Sequence, residues 1–312
     1  MRRSVPRPGD AGTRQVLDTV LRRSPAQPAF RWRASRRLAV LAYHGIDDAE
    51  GFERHLDHLR RTASPVSLED VLDAIARRRG LPRRAVLITF DDGHRSVLDV
   101  ATPMLVERGM PAAVFVVAGL LDTDAPVWTT EAAELVAVAP GSARAPQTVA
   151  LVRELKRLPD TERVARMDEL RRASGRPAPS IRQLGRADLP VLESAGVAIG
   201  NHSLTHPCLS RCTAEKIESE VRAAHEILAD ATGAPPRAFA YPDGDRDPRV
   251  RGVVATIGYE AAFLFDHRLS PVPPADPLAI SRLRVNPSSG LDRLEILLSG
   301  LHPAVHRLRG GS

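Results

Sequence analysis

Residues 85–93 read AVLITFDDG, an apolar run over Ala85–Phe90 that ends in two adjacent carboxylates and a glycine. The run does not alternate apolar with polar, which is the pattern of a strand buried on both faces of a parallel sheet. Asp91 and Asp92 then stand where a loop leaves the carboxyl end of that strand. Active sites of parallel α/β folds gather at such loops. Two neighbouring carboxylates repel and call for a compensating charge: a metal satisfies one, and the other is free to serve as a base. The competing structural reading of the same residues is a helix N-cap followed by a turn glycine.

Working outward, LAVLAY at Leu38–Tyr43 and AAVFVV at Ala112–Val117 repeat the buried-strand pattern. Val197–Gly200, Ala238–Tyr241, Ala261–Leu264 and Ile280–Val285 are further strand candidates. Helical spacing occupies Phe52–Arg61, Leu68–Arg78, Ser96–Arg108, Ala214–Ala231 and Leu291–Leu301. Ser67 with Asp70 resembles a capping box for the second of these, and Gly233 with Pro235 and Pro236 stops the fourth. Strands alternating with helices predict a mostly parallel α/β domain, a single irregular (β/α) barrel of seven or so strands over residues 37–312. The rhythm breaks between about Leu121 and Leu184, where Glu131–Val138, Val149–Leu158 and Thr161–Ala173 are helical and no strand intervenes. This interval is predicted to be a helical insertion that forms a wall or lid over one face of the barrel. Residues 1–36 read as a basic, partly flexible arm with one short helix near Thr13–Arg23.

Composition narrows the partners. The net charge of +6 comes almost wholly from arginine, since Lys156 and Lys216 are the chain's lysines. The arginines are spread along the chain apart from a dense group before residue 38, and no nucleic-acid motif accompanies them, so a nucleic-acid partner is not expected. The basic arm suits peripheral contact with an anionic membrane surface or an acidic glycan. Aromatics are 4% of residues, which argues against a broad stacking platform. Cys208 and Cys212 lack a partner pair for structural zinc and read as reduced thiols. The opening MRRSVPRPGD is followed by no apolar core of a signal peptide, and no run reaches eighteen apolar residues, so the expected location is the cytoplasm.

Two more segments follow strand candidates. Residues 201–207, NHSLTHP, place His202 and His206 four apart, so one turn of helix would set both imidazoles on one side. Two imidazoles and one carboxylate make a metal site with open positions for water and substrate. Residues 239–245, FAYPDGD, read as a strand turning sharply into a loop able to aim backbone N–H groups into a cavity.

In this order, TFDDG at 89–93, HSLTH at 202–206 and YPDG at 241–244 resemble the three motifs of the polysaccharide deacetylases of the NodB homology family, carbohydrate esterase family four. The resemblance spans roughly residues 38–300. It implies a metal-dependent hydrolase that removes N-acetyl groups from an N-acetylhexosamine-containing glycan or sugar precursor. By position it implies Asp91 as general base and Asp92, His202 and His206 as ligands of one divalent ion. Zinc suits that donor set, and cobalt or nickel fits the same triad. Tyr241, Pro242 and Asp243 fall on the oxyanion and substrate side. Two departures stand out: Ala240 occupies the place of the family's third-motif arginine, and no Leu-x-His for the general acid follows residue 265, since His267, His302 and His306 have the wrong surroundings. LAYHG at 41–45 resembles the circularly permuted branch that includes the poly-N-acetylglucosamine deacetylases, which implies His44 as general acid. Arg282, in ISRLR, is the candidate replacement for the missing arginine. His94 is expected near the pocket without a role, and His55 and His58 on a helix surface. The rival functions are hydrolysis of another non-peptide C–N bond in a small amide, and a catalytically inactive glycan-binding protein.

Overall fold

A computed structural model of the chain describes residues 18–137, 146–177 and 179–301. The predicted strands form within three residues of their expected ends, and the short β2 was not anticipated: β1 (Ala39–Tyr43), β2 (Ser64–Pro65), β3 (Ala85–Phe90), β4 (Ala112–Val116), β5 (Val197–Asn201), β6 (Ala238–Ala240), β7 (Ala261–Phe263) and β8 (Leu283–Arg284). Every pairing is parallel, in the order β7-β6-β5-β4-β3-β1-β8, with the short β2 also on β3. β1, β3 and β4 are buried at every position, as their unbroken apolar runs require. Alternate residues serve two layers. Val40, Leu87, Phe115 and Phe263 belong to one apolar cluster, and Leu41, Tyr43, Ile88 and Phe90 to the other. Gly200 is required by this packing, because a Cβ there would lie 2.4 Å from the Phe115 ring.

Segment 277–285 closes the sheet. Its first half joins β7, with the Ile280 N–H donating to the Ala262 oxygen and the Leu264 N–H to the Ile280 oxygen, both at 2.8 Å. Its second half joins β1, where Leu283 pairs with Leu41. The single strand expected over Ile280–Val285 is thus split, and Arg282 sits at the change of partner.

The capping box at Ser67 and Asp70 forms as read. The helix expected over Ser96–Arg108 begins with a wide π turn at Val97–Ala101, where the Thr102 N–H reaches back to the Val97 oxygen. Pro103, without an N–H to give, follows at once. Helices Gln27–Ala34, Leu189–Ser194 and Pro248–Ile257 were not anticipated. His55 and His58 are buried, not on a surface: His55 Nε2–H donates to the Ser289 carbonyl at 2.7 Å, so its Nδ1 accepts the Tyr43 hydroxyl at 3.0 Å.

Between β4 and β5 the chain leaves the barrel and returns beside itself. The Asp122 N–H donates to the Leu184 oxygen, Gln183 to Thr123 and Ile181 to Asp124. From this stem rise helices Trp128–Val136, Pro146–Leu155 and Asp160–Ser174, packed on a small core of Trp128, Leu135, Leu155 and Met167 that also takes in Cys208. At the other end of the barrel the helix Gln27–Ala34 leads to Ser35, whose oxygen accepts the Arg84 N–H at 2.8 Å just before β3. Of the helix expected near Thr13–Arg23, residues 18–22 are helical and the earlier part lies outside the described residues. No helix among the described residues is long and apolar enough to cross a membrane.

Candidate active site

β3 delivers Asp91 into the centre of the barrel mouth, and the closing segment delivers Arg282 to meet it. The guanidinium grips both carboxylate oxygens, Nη1 to Oδ1 at 2.6 Å and Nη2 to Oδ2 at 2.9 Å. Both side chains are fully buried, and Arg282 Nε donates to the Leu264 oxygen at 2.8 Å. Burial alone would push the Asp91 carboxyl up; the Arg282 charge, then His202 and the paired hydrogen bonds, outweigh it and hold the group down at about 2. Arg282, the candidate replacement for the missing arginine, thus meets Asp91 from the segment just before β8.

Asp92, His202 and His206 come together with one ligand atom each, all within 4.8 Å. Asp92 Oδ1 lies 3.7 Å from His202 Nε2 and 3.6 Å from His206 Nε2. Donors around a tetrahedral ion with bonds of about 2.1 Å sit about 3.4 Å apart, so small movements would close the cage. The donor set fits in a second way: Asp92 Oδ1 is buried with no hydrogen-bond partner. His202 Nδ1–H donates to the Ala240 oxygen at 2.8 Å, which leaves the Nε2 lone pair facing Asp92. Burial drives the His202 imidazole down to about 4, against the opposing pull of Asp91, and so keeps it neutral.

The pairing of the two histidines is not made by a helical turn, as their spacing had suggested. The loop 202–207 instead bends through left-handed backbone at Ser203 (φ 68°) and His206 (φ 59°). Asp92 (φ 72°) and Asp243 (φ 57°) share this conformation, so each of the three motif loops holds a non-glycine residue in left-handed backbone. What holds the loop is Glu220, fully buried on the helix Ala214–Thr232. Its carboxylate accepts the Leu204 and Thr205 N–H groups and the Thr205 hydroxyl, at 3.0, 2.8 and 2.7 Å, and Lys216 neutralises it at 2.8 Å. Asn201 Oδ1 accepts the Ser203 N–H at 2.7 Å.

The third loop contributes Asp243 to the cleft wall. Tyr241 turns the other way, into the core, where its hydroxyl donates to the Leu278 oxygen at 3.1 Å, and Pro242 is buried beside it. The Asp243 carboxylate meets the Lys156 ammonium from the inserted helices. Burial opposes ionisation of Asp243, but His206 and Lys156 keep its carboxyl below the usual range. Cys208 Sγ lies 3.7 Å from Asp243 Oδ2; both cysteines are free, and burial pushes their thiols up to about 12.

His44 lines the cleft from the end of β1, its ring edge-on to Phe265 at 5.9 Å. It takes no hydrogen bond among the described residues and is near enough for its charge to help lower Asp91. His94 also lines the cleft, with Nδ1 accepting the Ser96 N–H at 3.1 Å. His267 packs on Phe265, while His302 and His306 lie outside the described residues. The cleft has a volume of about 750 Å³, walled on one side by the insertion through Val149, Val152, Arg153 and Lys156.

Sequence reasoning missed Lys156, Glu220 and Trp128, whose Nε1–H donates to the His206 oxygen at 2.8 Å. Glu220 was detectable, as a carboxylate inside the apolar stripe of Ile217, Val221, Ala224 and Leu228.

Known proteins resemble this chain in sequence and in fold. Residues 78–262 match the polysaccharide deacetylase family. The deacetylase PplD of Streptococcus pyogenes, solved in complex with acetate, is 16% identical and superposes with a TM-score of 0.60 over 84% of this chain and 98% of its own. IcaB from Ammonifex degensii is 21% identical, with a TM-score of 0.60 over 85% of this chain and 97% of its own. Both likenesses concern the fold. Chitin deacetylase 1 of Cryptococcus neoformans is 36% identical over 64 residues, which span 20% of this chain and 14% of that enzyme. The matched stretch of this chain contains TFDDG, HSLTH and YPDG on the very loops that build the cleft, and by that match the chain belongs to the polysaccharide deacetylase family.

Proposed function

We propose that this chain hydrolyses the N-acetyl amide of an N-acetylhexosamine unit in a glycan or glycan precursor. The observation that carries the reading is the preformed cage of Asp92, His202 and His206 beside a carboxylate, Asp91, kept ionised by Arg282. A divalent ion on that cage, zinc in our reading with cobalt or nickel as alternatives, would polarise the acetyl carbonyl and lower the pKa of water. Asp91 takes the proton of the attacking water. The backbone N–H of Asp243 acts in this reading as a second donor to the developing oxyanion. His44, across the mouth, gives a proton to the amine as the C–N bond breaks, and acetate departs. Because Asp91 is such a weak base beside Arg282, its proton must pass on promptly, and His44 is the nearby group able to relay it. Tyr241 and Pro242 shape the turn from behind.

The test combines metal content with acetate release from N-acetylglucosamine oligomers and lipid-linked precursors. His206→Ala should lose metal; Asp91→Asn and His44→Ala should keep metal and lose turnover by a factor of about 10²–10⁴. Metal binding without acetate from any glycan would move the reading to another C–N substrate or to a glycan-binding protein. No metal binding would remove its basis.

We also propose peripheral attachment to an anionic membrane surface. Its support is Trp32, 62% exposed on the helix Gln27–Ala34 among Arg31, Arg33 and Arg36. Failure to sediment with vesicles containing anionic lipid would refute it.

A further inference from the structure

Two guanidinium groups stand over one aromatic ring at the cleft. Arg282 Cζ lies 5.7 Å and Arg284 Cζ 5.9 Å from the Phe265 centroid. Residues two apart on the same segment point the same way, so the closing strand presents both to the barrel mouth. Like charges so close disfavour each other unless each is compensated. Arg282 is compensated in full by Asp91. Arg284 is not: among the described residues no carboxylate comes within ion-pair distance of it, and it stands beside the ring. Asp47 lines the same cleft but leaves Arg284 unpaired. Phe265 also packs on His44, which places Arg284 on the side where the amine departs.

We propose that Arg284 is an anion subsite for the sugar half of the substrate, so that the glycan acted on carries a phosphate ester or a carboxylate close to the N-acetyl group. The inference rests on the deacetylase reading and narrows its substrate class. A guanidinium beside the ring and without a carboxylate partner offers a planar pair of donors, which suits phosphate and carboxylate oxygens equally.

The experiment uses metal-loaded enzyme and three matched substrates: an N-acetylglucosamine oligosaccharide, the same with a 6-phosphate, and one bearing an N-acetylmuramic acid carboxylate. The expected result is that kcat/KM for at least one anionic substrate exceeds the neutral one by about tenfold or more, a preference eroded by salt. Arg284→Gln should remove that preference and Arg284→Lys should restore part of it, and which substrate responds tells phosphate from carboxylate. Equal loss on all three substrates in Arg284→Gln, or no preference in the parent protein, would overturn the subsite. Should nothing be deacetylated, calorimetric binding of the three sugars still decides: anion-selective binding lost in Arg284→Gln keeps the subsite while the reaction class falls, and no selectivity removes it.

Discussion

The cleft has two unlike walls. The barrel wall presents groups fixed from behind: Asp91 by Arg282, His202 by the Ala240 carbonyl, the His206 loop by Glu220. The inserted wall presents Val149, Val152, Arg153 and Lys156 from the helix Pro146–Leu155 and its end, one of three helices on a core of a few side chains. The barrel wall is tied together across the whole sheet, whereas the insertion meets it through contacts such as Trp128 to the His206 oxygen and Lys156 to Asp243. The contrast is between groups fixed from behind and groups carried on a small core of their own.

The largest expected effect tests the rigid wall. Arg282→Met leaves the Asp91 carboxylate buried and unpaired, and should cost about 3–5 kcal/mol in denaturant unfolding. Replacing both, Asp91→Leu with Arg282→Met, should recover much of that stability while activity stays lost. A single mutant as stable as the parent would break the contrast. Next comes the insertion core: Met167→Ala should cost about 2–5 kcal/mol there, read as faster amide exchange over residues 128–174 with β3 and β4 unchanged. Uniform loss of protection would mean that the walls unfold as one unit.

A smaller effect concerns pH. Burial lowers the pKa of His55 and His58, in spite of the Ser289 hydrogen bond and Asp48 facing the first and Glu295 facing the second; Arg54 facing His55, and Arg61, Arg31 and Arg22 facing His58, lower them further. The folded state then binds fewer protons than the unfolded chain below the ordinary histidine value of 6.5, so stability should fall as pH drops through that point. His55→Asn should flatten this slope in unfolding curves taken between about pH 5 and 8. The smallest effect is Lys156→Met, which should alter KM for longer glycans more than metal content. Metal loss in that variant would show that the insertion supports the cage directly.

The strands were legible because buried parallel strands are written as unbroken apolar runs, as at Ala85–Phe90. The cluster of Asp92, His202 and His206 was legible because its members follow the ends of such runs. The left-handed loop that joins His202 to His206 was not, since a spacing of four fits a helix as well as a tight bend. Helix Pro248–Ile257 escaped although Val250, Val253, Val254 and Ile257 keep helical spacing, Asp247 caps it and Gly258 ends it. His55 and His58 were misjudged because a histidine with partners on distant segments, Ser289 and Glu295, carries no local mark of burial.

The stem of the insertion has a consequence for how such a chain can change. Because residues 122–124 and 181–184 run side by side, the barrel experiences about sixty residues as if they were one tight connection. Loop-closure entropy grows only with the logarithm of length, so lengthening or shortening what lies beyond the stem costs the barrel little. The interval is in effect a graftable cassette: a different set of helices on the same stem would give the same catalytic end a different choice of glycan.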